Sequence, residues 1–495
     1  MKRREFFTAS LASAAIAALP VRRLWAEGVA GSSIPDADIA AIKLNGGPIV
    51  IPGAAVADLR SRLRGALLVP GQEGYEQARR IWNHMIDRHP ALIARCAGPA
   101  DVAAALAFAR ERELLLAVRG GGHSFPGYST CDGGLVIDLS TMHGVRVDPI
   151  ARTVRAEGGA WLGDVDAESQ HYALATPLGA ISNTGIAGLT LGGGYGWLSR
   201  RFGLACDNLV GADLITADGQ FHRLSEQENP DLFWAIRGGG GNFGVVTSFE
   251  YQLHAVGPQV LAGFLAYPAT ELRQALEFYA EFAARAPREL HLEFDAATPL
   301  PSGAAPTINI CYSADPKAGE KALEPLLKFG KPTMNTIKMQ DYVAVQRQYD
   351  GPPLSEYNSY LKSGFLREVQ PGLIDVIVNE LHADETFGAT VSHFGGAIGD
   401  RSPTATAFTH REANFMVFVS GGWKAAADND RNRSEVRSRW DKVKPFTAGY
   451  YVNLNEGDQR QTDDNYGQNR ARLAALKRQY DPANLFRLNA NVRPA

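Results

Sequence analysis

The sequence predicts an α+β protein built from two dissimilar parts, and three observations predict it. Short strands and helices alternate between residues 101 and 253, broken by three runs of glycine. Strand-like, partly alternating segments separated by helices follow between residues 258 and 440. The chain has 495 residues, 45% hydrophobic and 21% charged, enough for two or three domains with sizeable cores.

Taken in order, Ala and Leu at helical spacing predict a helix over 101–113, and an apolar strand follows at 114–118. That strand runs directly into Arg119-Gly120-Gly121-Gly122-His123-Ser124. Strands are expected at 134–139 and 153–157 and a helix at 161–172, before the run Gly192-Gly193-Gly194-Tyr195-Gly196. Segments 208–216 and 220–224 flank Asp218-Gly219, a hairpin signal because glycine accepts the positive φ that tight turns require. A helix at 229–236 ends at the third run, Gly238 to Gly244, and a strand follows at 245–253. In the second part, strands at 262–267, 290–294, 307–312, 390–394 and 414–420 are separated by helices at 271–286, 317–329, 373–382 and 431–443. This order reads as an antiparallel sheet with helices on one face.

Composition excludes several functions. A formal charge of −3 gives no basic face for nucleic acid. Cys96, Cys131, Cys206 and Cys311 contain no CxxC pair, so they read as buried thiols and not as a metal cage or redox dithiol. Gly239, Gly241 and Gly244 spell G-x-G-x-x-G, but a dinucleotide fingerprint needs a strand before the glycines and a helix after them. Here the order is reversed. Signatures of P-loop, serine-hydrolase and zinc-protease sites are absent from the chain.

The N-terminus reads as an address. Lys2-Arg3-Arg4 precedes a short apolar run and the small-residue exit near Ala26, the pattern of a cleaved signal over residues 1–26. Its paired arginines resemble a twin-arginine export signal, so the mature protein is expected to be periplasmic or secreted. A membrane anchor is the alternative, although no later segment is long enough to span a bilayer.

Consecutive glycines let backbone N–H groups converge on an anion, because no Cβ holds it away. Three such runs suggest a large phosphate-bearing ligand approached from several sides. His123 closes the first run among small neighbours. An imidazole there either caps a loop or reaches the ligand.

Val118 to Ser124, Asp138-Leu139-Ser140, Gly185-Ile186-Ala187-Gly188, the Gly192 run, Phe202 to Asn208, and Phe233 to Val246 occur in a distinctive order. Tyr451-Val452-Asn453 and Tyr480 to Phe486 complete the series. Together they resemble the vanillyl-alcohol-oxidase-type flavoproteins and, within them, the berberine-bridge-enzyme-like oxidases. The resemblance implies a two-part FAD-binding domain (residues 27–257 and the returning segment 441–495) with an inserted antiparallel-sheet substrate domain at 258–440. It further implies that FAD is held by Arg119, Gly120, Gly121, Gly122, His123, Ser124, Thr184, Gly185, Gly188, Gly192, Gly193, Gly194, Tyr195, Gly196, Asp207, Asn208, Gly244, Val245, Val246 and Asn453.

By the same resemblance, a ring nitrogen of His123 bonds covalently to the flavin 8α-methyl. Relatives with a second link use a cysteine where this chain has Ile181, so attachment through His123 only is expected. Tyr451 is implied as the proton acceptor and Asn453 as its partner, while strand 414–419 lacks the glutamate that some plant relatives carry. Thr184 occupies the position associated with oxygen access. The implied activity is oxidation of an alcohol (a sugar or a phenolic metabolite) by a small-molecule oxidase that reduces molecular oxygen to hydrogen peroxide. A dehydrogenase with another acceptor and a flavin-carrying binding protein are the alternatives. His410 and Arg411 read equally as functional or as structural residues, since an arginine can brace a domain seam through several donors.

Overall fold

The computed structural model describes residues 37–350, 357–381, 383–384 and 386–495. The expected export signal and residue 382, at the end of one expected helix, lie outside them.

Three sheets carry the fold. The first has four strands in the order Ala66–Leu68, Leu92–Arg95, Leu135–Asp138, Leu116–Arg119. Both pairings of Leu135–Asp138 are parallel, so the chain must cross over between strands, and it does so through the helix Pro99–Glu111. Pro99 sits in the first turn, where its missing N–H costs nothing. Val102, Ala105, Leu106 and Ala109 form the buried stripe. Asp101 is buried at the helix start yet fully satisfied, accepting the backbone N–H groups of Arg64, Gly65 and Ala97 at 2.8–2.9 Å.

The second sheet is antiparallel, in the order Phe221–Leu224, Leu209–Ile215, Val245–Gln252, Thr153–Glu157, Val145–Asp148. Its hairpin turns where expected, with Gly219 at φ +86° and Ile215 paired to Phe221. The helix Pro230–Ile236 precedes the third glycine run and the strand Val245–Gln252 follows it, the reverse of a dinucleotide-binding turn.

Residues 259–423 supply an eight-stranded sheet. Its main path runs Met334–Asn335, Gln259–Ala266, Ala305–Tyr312, Leu290–Thr298, Phe387–His393, Phe415–Trp423, Asn358–Leu366, and every pairing is antiparallel. Helices Leu272–Arg285, Pro371–Asn379 and Asn429–Val443 pack their apolar residues on it, forming one core with Leu292, Phe294, Ile308, Val391 and Val417. The strand Asn358–Leu366 was not expected, because Ser359, Lys362, Ser363 and Gly364 interrupt any apolar alternation. Its polar residues have other duties: Ser363 donates to Asn455 Oδ1 and its Oγ accepts the Tyr451 N–H.

The tail then returns to the first two sheets. Leu485 and Phe486 join the core of the four-stranded sheet. Lys477 and Asp481, both fully buried, form an ion pair at 2.7 Å. The lysine also donates to the carbonyls of Asn242 and Phe486, and Asp481 accepts the N–H groups of Leu485 and Phe486. Each buried charge therefore has several partners, and the tail is clamped to the third glycine run. No helix among the described residues is long and apolar enough to cross a membrane.

Candidate active site

Gly120-Gly121-Gly122 leaves the end of the strand Leu116–Arg119 and meets Gly185, at the start of the helix Ile186–Leu191. A Cβ on Gly121 would lie 2.4 Å from Gly185 Cα, and one on Gly185 would lie 2.4 Å from Gly121 N. Neither glycine has a positive φ, so contact between two backbones sets the requirement here. These bare backbones line a cavity of about 410 Å³, the size of a small-molecule site. From the first run it takes Gly120, Gly121, Gly122, His123 and Ser124, and from the second segment Thr184, Gly185, Gly188 and Tyr195. Gly244, Val245 and Val246 close a further side, and Tyr451 and Asn453 come from the returning tail.

His123 stacks on Trp82, with ring centroids 4.4 Å apart and planes at 22°, and has Phe125 at its edge. Its Nε2 is shut off from solvent and has no hydrogen-bond partner. Burial pushes its pKa down to about 4, so the ring is neutral at pH 7 and keeps a lone pair.

The Tyr451 hydroxyl oxygen accepts the Gly194 N–H at 3.1 Å and an Asn453 Nδ2–H at 2.9 Å. The Tyr195 N–H also acts on it. Asn453 is held by its second N–H, which donates to the Leu189 carbonyl at 3.0 Å. Burial pushes the Tyr451 phenol up to about 12, and these N–H groups oppose that rise. The groups that stabilise charge on the Tyr451 oxygen are therefore N–H dipoles and not a cation.

Seven residues expected to hold the cofactor do not line the cavity: Arg119, Gly192, Gly193, Gly194, Gly196, Asp207 and Asn208. The second glycine run packs protein against protein. A Cβ on Gly192 would lie 2.1 Å from Asn453 Oδ1, and one on Gly196 would lie 2.4 Å from the Gly179 carbonyl carbon. Gly193, at φ +116°, faces Phe408, and Gly194 serves Tyr451. Arg119 turns back to donate to the Ala78 carbonyl and lies under Gly122. Asp207 takes both Nη groups of Arg411, at 2.6 and 2.8 Å, with each side chain 1% exposed. Asn208 donates to the Phe202 and Leu204 carbonyls. Arg411 is thus a brace, the structural one of the two roles the sequence left open, and His410 accompanies it by bonding Asn465.

Sequence reasoning missed the residues that the large sheet contributes: Glu293, Met416 and Phe418, with Tyr349 beside them. It also missed Gly240 and Gly241 of the third run. The signal available was the alternation His291, Glu293, Asp295, which is also the pattern of an ordinary solvent-facing strand edge.

FAD fits this site on two observations. Gly188 and Gly241 line the cavity with open space where a Cβ would stand, and the buried His123 nitrogen, also on the cavity wall, is orphaned. Comparison with known proteins gives the same cofactor. Residues 90–225 match an FAD-binding-domain family and residues 450–493 match the berberine and berberine-like family. An FAD-linked oxidoreductase of Dictyostelium discoideum is 32% identical over 441 residues, covering 87% of this chain and 95% of that protein. The (R)-6-hydroxynicotine oxidase of Paenarthrobacter nicotinovorans is 30% identical over 459 residues, covering 87% and 97%. A crystal structure of 6-hydroxy-D-nicotine oxidase from Arthrobacter nicotinovorans superimposes with a TM-score of 0.79 at 29% identity, covering 88% and 98%. Matched to both families and aligned with these relatives along most of its length, this protein belongs to the berberine-bridge-enzyme-like FAD-linked oxidoreductases.

Proposed function

We propose that the protein is an exported FAD-linked oxidase that oxidises an alcohol, a sugar or phenolic metabolite, with FAD tied covalently through His123 alone. FAD held by Gly120, Gly121, Gly122, Gly185 and His123 would supply hydride-accepting chemistry, with molecular oxygen as the final oxidant and hydrogen peroxide as its product. Tyr451 takes the hydroxyl proton. The observation that carries this reading is the convergence of N–H groups on its oxygen at the cavity wall. Such donors stabilise the phenolate, the form of Tyr451 that has given up its own proton and can accept the substrate's, without a permanent charge.

His123 supports the covalent assignment because it is neutral, fixed by Trp82 and unpartnered at Nε2. Ile181 lines the cavity where a second link would need a thiol. Thr184, also on the cavity wall, and the oxidase names of relatives support oxygen as the acceptor. The paired Arg3-Arg4 supports export of a folded, cofactor-loaded chain. A peroxide-coupled screen of alcohols tests the function, followed by anaerobic flavin reduction in Tyr451→Phe. Loss of reduction by roughly 10²- to 10⁴-fold is expected for a removed general base. A rate within about threefold of wild type would overturn the assignment.

A further inference from the structure

The ring of His123 is held from behind. It lies face to face with Trp82 at 4.4 Å and 22°, while Phe125 closes on its edge at 5.8 Å. His123 and Phe125 line the cavity and Trp82 does not, so the indole backs the imidazole from the protein side. Trp82 belongs to an irregular stretch between the helix Tyr75–Arg79 and the strand Leu92–Arg95. No helix or sheet ladder holds the backbone there, and other bonds take that duty. The Trp82 N–H donates to the carbonyl of Gly122, the residue before His123, at 2.9 Å.

Asn83 fixes the same stretch from two sides. Its buried side-chain amide donates to the Phe125 and Ser359 carbonyls, each at 2.9 Å. Its Oδ1 accepts the N–H groups of Ser359 at 3.1 Å and Met85 at 3.2 Å. All four hydrogen-bonding positions of the amide are therefore used. Ser359 lies on the strand Asn358–Leu366, at the end of the path through the eight-stranded sheet. Asn83 thus bonds that strand through both N–H and C=O, as a neighbouring strand would, and ties it to the loop that leaves His123. Two adjacent residues join the His123 ring, the first glycine run and the inserted sheet. A side chain locked by packing and by such bonds keeps a reacting group in one geometry.

We infer that Trp82 is the positioning residue for covalent attachment of the cofactor, holding the His123 ring at one angle, and that Asn83 acts through it. The bond then forms only once the inserted sheet has docked on residues 82 and 83. This rests on the covalent His123 reading and deepens it. Attachment replaces one hydrogen of the 8α-methyl group with a His123 ring nitrogen. A C–N bond forms, one C–H and one N–H bond break, and the two protons and two electrons released convert molecular oxygen to hydrogen peroxide. The test uses the full chain made under riboflavin limitation, mixed with FAD in air and quenched in acid at intervals. Fluorescence quenching on mixing reads FAD affinity, and flavin retained in the pellet reads attachment. Trp82→Leu is expected to attach FAD about 10- to 100-fold more slowly than wild type, with affinity within about threefold. Trp82→Phe restores a flat ring face and is expected to recover the rate to within about threefold. Asn83→Ser is expected to slow attachment at least about tenfold, and the wild-type rate in that variant would overturn the coupling to the sheet. Attachment by Trp82→Leu at the wild-type rate would overturn the inference, as would a loss of affinity equal to the loss of rate, the mark of a merely structural role. Wild type that binds FAD and forms no bond would overturn the covalent reading itself, and this inference with it.

Discussion

Gly188 and Gly121 both line the cavity, but a methyl added to each meets different surroundings. A Cβ on Gly188 has nothing within 4 Å, and the residue sits inside the helix Ile186–Leu191 at an ordinary φ. Alanine there is expected to stabilise the cofactor-free protein by about 0.5–1 kcal/mol, the usual gain over glycine in a helix. If FAD occupies the space in front of the helix, the same methyl intrudes on it. Overpacking of that kind costs about 1–3 kcal/mol, or roughly 5- to 150-fold in affinity. Gly121→Ala behaves differently, because its methyl would press on Gly185 Cα at 2.4 Å and on Trp161 Cδ1 at 3.0 Å. Two backbones must then separate by about 1 Å, so that variant loses both stability and cofactor. The assay is thermal unfolding of the cofactor-free protein together with FAD titration, both in a His123→Ala background that removes any covalent link. Gly188→Ala binding FAD within about twofold of its parent would refute the placement of the cofactor against this helix.

Three further outcomes follow from the geometry. Reduction of the flavin by substrate should rise with pH from about 6 to about 10, because burial holds the Tyr451 phenol up near 12 and only its deprotonated form is a competent acceptor; Tyr451→Phe should lose that dependence. Glu293 is protonated in the folded protein above the pH at which an unfolded glutamate ionises, so stability is fullest at acid pH and falls as pH rises from about 4.5 through about 8. Melting curves across that interval should show a loss of order 2 kcal/mol in wild type and a flatter profile in Glu293→Gln. Asp207→Asn should cost about 3–5 kcal/mol by stranding the buried Arg411, yet leave FAD content per folded molecule unchanged, as measured by denaturant melts and flavin absorbance.

The glycine runs were legible because glycine is the one residue whose absence of a side chain is visible in sequence. Their individual duties were not. The first run lines the cavity, but most of the second exists so that Asn453, Phe408 and Gly179 can approach, and only the tertiary contact separates those roles. The hairpin at Asp218-Gly219 and the helix–glycine–strand order of the third run came from local chemistry and survive in the structure. The strand Asn358–Leu366 was invisible because its polar residues answer to Asn455 and Tyr451, more than 80 positions away. Glu293 was missed for a related reason. A carboxylate alternating with leucine and phenylalanine reads as a solvent-facing position, and only the packing of the sheet over the glycine recess turns that face inward.

The account rests on FAD lying in the glycine recess and bonded to His123. The most direct test is to express the full chain, precipitate it in acid, digest it and locate the flavin by peptide mass. The account predicts a yellow pellet with the flavin on the His123 peptide and none elsewhere, and a colourless pellet from His123→Ala. FAD released wholly into the supernatant from the wild-type protein would contradict it.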